Sequence, residues 1–437
     1  MNARSATVFA AAAIAAIAAW PSFVATREAR AAGPTPAPVL ADYAQRERLV
    51  AFYEAAVRRR PDQIVTKLLA AQYVRRFREH GDPADLARAQ HAAEASLAMQ
   101  PRANAGAESV LASSLASLHR FREALVHAER ALVLEPGNPS AAAQAASIRI
   151  ELGDYPGARR QLAAARAWPN AGAALETAWA RFDELTGDVA AARRAIDHAL
   201  VQADSVMDNP AESRAWFHVR AGELAWTAGD GDVAERRFRE ALAIYPDDAL
   251  AYNGLARMYW GERRWSAARD AATRAAALVP LPETLGYEAD AQRALGDEAG
   301  ARATGDLIAA IARIAGAARI NDRALALYFA DHRLQRDEAI RIARRDVAAR
   351  DDAFAEDTLA WALARGGRRA DARIAARKAV RWNTQDARLQ YHAGVIAMES
   401  GDRDEATRRL TRALALNPQF HPVDADDARA RLGRLAP

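Results

Sequence analysis

Alanine recurs at Ala124, Ala158, Ala192, Ala234, Ala268, Ala301, Ala339, Ala372 and Ala406, in steps of 34, 34, 42, 34, 33, 38, 33 and 34 residues. A period in this range constrains the fold more than any other feature, because it marks stacked copies of one supersecondary unit. Ala, Leu, Arg and Glu dominate and alternating runs of strand formers are nearly absent, so each unit is expected to be helical.

With the recurrent alanine set at position 20, units begin near 105, 139, 173, 215, 249, 282, 320, 353 and 387. Position 8 is Ala112, Ala146, Ala180, Gly222, Ala256, Ala289, Leu327, Ala360 and Gly394. Position 27 is alanine in seven units, with Ile308 and Asp346 as the departures. Small residues at these points let two helices approach closely. Between them, glycine falls at position 15 in six units: Gly153, Gly187, Gly229, Gly296, Gly367 and Gly401. Glycine there closes one helix in the left-handed conformation, and Asp154, Asp188, Asp230, Asp297 and Asp402 are placed to cap the next. Pro136, Pro246, Pro280 and Pro418 stop the second helix.

Small at 8, Ala at 20 and 27, an aromatic or aliphatic at 24 and Pro at 32 resemble the tetratricopeptide repeat. The stretches "DALAYNGLARMYWGERRWSAARDAATRAAALVP" and "ARLQYHAGVIAMESGDRDEATRRLTRALALNP" match it closely. The resemblance implies an all-α, right-handed α-solenoid of about ten stacked helix-turn-helix units with a C-terminal cap helix. Units 282 and 320 depart from it, through Gly305 at position 24 and through Leu327 and Asp346, and read as looser hairpins. An earlier unit covers 63–104, with "REHGDPAD" as an enlarged turn and a helix over 41–60 ahead of it. The expansion from Asp204 to Ser213 reads as a stretched loop. "VDADDARARLGRL" reads as the cap helix, with Asp424 at its N-cap. The organisation is thus 41–104, repeats over 105–214 and 215–281, irregular repeats over 282–352, repeats over 353–420, and the cap over 421–437.

Ahead of the array, Arg4 precedes an apolar run from Ala6 to Trp20, and Ala29-Arg30-Ala31 offers a small-residue cleavage site. Residues 1–31 therefore read as a secretory signal. Extended to Ala25 the run approaches spanning length, which makes a retained membrane anchor the alternative. Residues 32–40 are a Pro/Ala linker. Either reading exports the array, to the periplasm or to the periplasmic face of the inner membrane. Membrane contact is expected only through this segment.

The chain has no cysteine, which excludes disulfides, thiolate metal sites and a cysteine nucleophile. Net charge is +4 from 60 basic and 56 acidic residues, interspersed along the chain. That pattern argues against nucleic-acid binding. No phosphate loop, dinucleotide fingerprint or zinc-protease motif occurs, and no two of the nine histidines stand three or four residues apart. No catalytic, cofactor or metal residue is assigned, and the chain is read as a non-enzyme.

In the family resembled, the first helices line a concave groove. Projected onto this sequence, that face carries Trp216, Glu223, Trp226, Asn253, Arg257, Trp260, Tyr328, His332, Asp357, Trp361, Arg365, Arg388 and Tyr391. Aromatic side chains supply large contact area at low entropic cost, so the expectation is a scaffold binding a protein or peptide there, in bacterial envelope assembly or secretion. Charge along the groove is mixed: Glu151, Glu184, Glu283, Asp290, Asp331 and Glu399 join Glu223 and Asp357, against Arg181, Arg257, Arg293, Arg365 and Arg388. Two rivals are an anchored spacer in an inner-membrane complex, and an envelope enzyme using groove carboxylates with His332.

Overall fold

The computed structural model describes residues 40–168, 172–206, 209–314 and 321–435; the signal-or-anchor segment and all but the end of the linker lie outside them. Among the described residues there are 22 α-helices and no strand. Helix α1 (Leu40–Arg59) leads. Hairpins follow: α2 (Gln63–His80) with α3 (Pro83–Met99), α4 (Ala105–Ser117) with α5 (Phe121–Leu134), α6 (Pro139–Glu151) with α7 (Tyr155–Ala165), and α8 (Ala173–Leu185) with α9 (Val189–Asp204). Next come α10 (Ala211–Thr227) with α11 (Gly231–Ile244), α12 (Ala249–Gly261) with α13 (Trp265–Leu278), and α14 (Pro282–Ala294) with α15 (Glu298–Ile314). Last are α16 (Asp322–Asp331) with α17 (Arg336–Ala349), α18 (Ala353–Arg365) with α19 (Arg369–Ala379), α20 (Ala387–Glu399) with α21 (Arg403–Leu416), and the cap α22 (Asp424–Leu435). The array is an all-α solenoid of ten hairpins, and no described helix is long and apolar enough to cross a membrane.

The periodic residues do what their spacing predicts. All nine recurrent alanines are buried. The six turn glycines have φ between 77° and 90°, and each aspartate after five of them accepts an amide of the following helix. In the remaining turns His119, Arg263 and Arg333 take the left-handed conformation without glycine. Burial separates two layers. First helices such as α20 are buried over most of their length, whereas second helices such as α21 bury little beyond an Ala/Leu stripe. First helices therefore form the inner layer and second helices the outer one.

Three local expectations need correction. "REHGDPAD" is not an enlarged turn: α2 runs on to His80, Gly81 closes it at φ 71°, and Asp82 caps α3 at once. The expansion before unit 215 is mostly helix, because α9 and α10 reach 16 and 17 residues and leave only 205–210 between them. Asp424 is not the cap of α22; the His421 imidazole Nδ1 accepts the amides of Val423 and Asp424 at 3.2 and 3.1 Å. Unit 320 departs at its turn. Its turn holds one extra residue, Gln335, which shifts α16 by one position, so that fully buried Ala326 takes the place expected of Leu327. In unit 282 the Tyr328 ring lies against Gly286, while a Cβ at position 305 would make only ordinary contact with its hydroxyl at 3.8 Å.

The solenoid closes on itself about six units on. The turn after α4 meets the end of α17, where the Arg122 guanidinium donates to the Ala348 carbonyl at 2.7 Å. The turn after α6 meets the start of α18: the Ala353 amide donates to the Tyr155 hydroxyl at 3.2 Å, and Arg350 pairs with Glu151 at 3.5 Å. The turn after α8 receives the Thr384 hydroxyl on the Leu185 carbonyl at 2.6 Å. The turn after α10 receives the Asn417 side-chain amide on the Trp226 carbonyl at 2.8 Å. The turn after α12 meets the cap, with Arg263 bonded to the Pro422 carbonyl and paired with Asp426. Along this seam a Cβ on Gly153, Gly187, Gly229 or Gly261 would run into the backbone carbonyl of Asp351, Asn383, Leu416 or Gln419 respectively.

Candidate functional site

Side chains expected to line an open groove are enclosed between neighbouring units and, near the end of the array, by the cap. Trp216, Trp226 and Trp260 are each 5% exposed or less, Tyr391 1%, and Trp361 is fully buried. The expectation that these rings are displayed to a partner is corrected by that burial, which comes from the side chains of adjoining units and the cap.

The enclosed rings are anchored by polar contacts between neighbouring units. The Trp260 indole donates to Asp290 at 3.1 Å and the Trp361 indole to Asp331 at 2.8 Å. The Tyr391 hydroxyl donates to Asp427 at 2.8 Å. Trp361 stacks on His392 at 4.0 Å and carries the Arg365 guanidinium over its ring at 3.9 Å, while His392 is held by Asp357 at 2.9 Å. Trp260 meets His421 edge-on at 4.3 Å, tying α12 to the cap. Asn253 accepts the Thr284 hydroxyl at 2.7 Å. Trp216 differs, because its indole N–H is buried with no acceptor among the described residues.

Much of the mixed charge read along this face resolves into internal pairs. Arg181 bridges Glu184 at 2.8 Å and Glu151 at 3.7 Å. Arg220 joins Glu184 at 3.0 Å and also pairs with Glu223. Arg323 pairs with Asp352 at 2.8 Å and Asp346 at 3.4 Å, and Arg350 pairs with Asp346 at 2.9 Å. Asp346, an apparent defect at a position reserved for alanine, is thus the buried centre of a clamp beside the seam. Burial works against ionisation of Asp352, but Arg323, Arg350 and Arg181 hold its carboxyl well below the usual range. Asp331 is also opposed by burial, yet Arg388 and the nearby imidazoles of His421 and His392 hold it down at about 2. Where compensation is thinner the sign reverses: burial pushes the Asp248 carboxyl up to about 7 although it caps α12. Arg257 makes no ion pair among the described residues; burial would lower its pKa, but Tyr287, Glu283, Asp386 and Glu223 raise it.

His332 is held between α14 and α16. Its Nδ1 lies 2.9 Å from the Tyr328 carbonyl oxygen and its Nε2 2.9 Å from the Asp290 carboxylate. Both neighbours are acceptors, an environment that favours the doubly protonated ring. Its pKa is raised accordingly: burial pulls down, while the bond to Asp290, its charge and the Tyr328 carbonyl outweigh it. This geometry makes an ion-paired tie between units and leaves neither nitrogen free to act as a base. Among the described residues no three His, Asp or Glu side chains gather as metal ligands.

The helix pairs, their buried alanine registers and their Gly-Asp turns are all in view. The chain is built of tetratricopeptide-like repeats. No protein-family model and no curated protein matches the sequence. Among solved structures it is similar to PilW, a widely conserved type IV pilus biogenesis factor, at 20% identity over 47% of this chain and 92% of that one, with a TM-score of 0.40. It is also similar to yeast Tom70, at 12% identity over 84% and 96% with a TM-score of 0.33, and to the APC/C hetero-tetramer Cut9-Hcn1, at 13% over 91% and 95% with 0.34. Overlaps this loose leave side chains without correspondence, and nothing about partners transfers.

The sequence reading named Glu223, Arg257, Arg388 and the aromatics, all of which lie on first helices. It missed Arg220, Arg323 and Arg350, which complete the ion pairs. A detectable signal was present, since each is a cation on or beside an inner helix in an array whose inner face carries an excess of carboxylates.

Proposed function

We propose that this chain is a non-catalytic interaction scaffold, exported to the bacterial envelope, which presents a closed and rigid superhelix to a protein or peptide partner in assembly or secretion. The observation that carries the reading is the engagement of the inner face. Its carboxylates, imidazoles and indoles are committed to one another between units, an arrangement that fixes shape. A scaffold of this kind holds partners on its outward helices and edges, with little loss of its own conformational entropy on binding.

A second reading, capture of a peptide by the inner face after the seam opens, is favoured by Trp216, whose indole N–H has no acceptor, and by the unpaired Arg257. Affinity capture from native envelope with the folded protein and with W216A/R257A separates the two. A partner retained by both proteins supports the outward-facing scaffold, and one lost only by the variant supports the inner face. Capture of no specific partner by either would overturn the scaffold reading.

A further inference from the structure

The outer helix α19 carries a row of like charge that nothing in the fold uses. Arg369, Arg373 and Arg377 stand four residues apart on one exposed ridge, with Arg381 continuing it past the helix end. Successive members are separated by about 6 Å along the axis. Arg381 is committed to Asp351 at 3.5 Å. The other three make no hydrogen bond or ion pair among the described residues, and Arg368 beside them makes no side-chain contact of that kind. Ile374 sits next to the ridge and is 60% exposed. Like charges at this spacing weaken the helix that bears them, so folding gives no reason for the row.

The neighbouring outer helices are different. On α17, Arg341 is paired with Glu338 at 2.7 Å, and Asp337 is exposed. On α21, Arg408 and Arg409 share Glu405, and Asp404 is exposed. The unbroken row is therefore confined to α19: α17 also exposes Arg336 and Arg344, but eight residues apart, with Asp337 and the Glu338–Arg341 pair between them. A planar anionic bilayer would meet those carboxylates along with the arginines. A narrow acidic ligand would meet the ridge alone.

We propose that the α19 ridge docks an acidic helical segment of a partner protein, with carboxylates every fourth residue facing Arg369, Arg373 and Arg377 and an apolar side chain resting on Ile374. The carboxylate row of such a helix repeats at the same ~6 Å rise, so each guanidinium meets one partner. This deepens the outward-facing scaffold reading and rests on it.

The test uses the full-length chain and a labelled synthetic peptide of about 15 residues with Glu at every fourth position, followed by fluorescence anisotropy. Binding is expected at about 50 mM salt and loss of it at about 300 mM, as exposed ion pairs are screened. The R369Q/R373Q/R377Q variant should bind about tenfold more weakly, while R159Q/R160Q on another outer helix binds as the parent does. A Gln-for-Glu peptide should not bind, and phosphatidylglycerol vesicles should not compete. The proposal is overturned if the acidic peptide does not bind, if the triple variant binds it equally with its helical content intact, or if the vesicles displace it. If the ridge variant still captures the same envelope partner, the ridge is wrong and the scaffold reading survives.

Discussion

The turns of units 139, 173 and 215 and those of units 282, 353 and 387 are built alike and used differently. Gly153 and Gly401 have φ of 77° and 82°, and both close a helix ahead of a capping aspartate. At Gly401, Gly367 and Gly296 a Cβ would enter open space; at Gly153, Gly187 and Gly229 it would strike the backbone of a unit about 200 residues away. One residue type thus answers two demands, and only the second makes the closed shape. Gly261 separates them, because it is helical with no left-handed φ. Its Cβ would meet the Gln419 carbonyl, and the Trp226 ring at 2.9 Å, so close approach is its whole reason.

The widest separation between the two regions is expected from charge. R350A removes the guanidinium that compensates Asp346 and Glu151 inside the seam and should cost about 3–5 kcal/mol in denaturant unfolding. R403A at the open end should stay within about 0.5 kcal/mol; equal losses would dissolve the distinction. Next, G401A should cost about 1 kcal/mol for an alanine in the left-handed region, and G153A about 2 kcal/mol more for overpacking against Asp351. N417A leaves the buried Trp226 carbonyl without its donor and should cost about 1–2 kcal/mol. The smallest effect is on pH. The raised pKa of His332 means that its contribution is complete below the ordinary imidazole value of 6.5 and is lost as pH rises through the higher folded value. H332Q should flatten the fall in unfolding midpoint on the alkaline side of neutrality, and an unchanged slope would remove the ion pair with Asp290 from the account.

Much of the hairpin architecture was legible because its determinants are local. The alanine register, the glycine turns and the aspartate caps lie within one unit and repeat, so each copy supports the next. The closure was not legible, because its contacts join Glu151 to Arg350 and Leu185 to Thr384, 199 residues apart, and no period encodes them. The irregular positions misled for the same reason. Asp346 read as a flaw in unit 320 until Arg323 and Arg350 were seen to converge on it, and Leu327 was read one position out of register because the extra residue, Gln335, lies in the turn. What the inner-face aromatics meet depends on side chains of an adjoining unit, Asp290 for Trp260 and Asp331 for Trp361, a convergence that no single unit displays.

The closed seam is tested most directly by distance. The chain lacks cysteine, so R122C/A348C carries two spin labels at chosen points without further substitution. The account predicts strong dipolar broadening and a single short separation, since these positions are joined by a hydrogen bond in the closed superhelix. Narrow lines and a broad, long distribution, unchanged when G153A/G261A is added to the labelled pair, would mean that the solenoid is open and the seam is not formed.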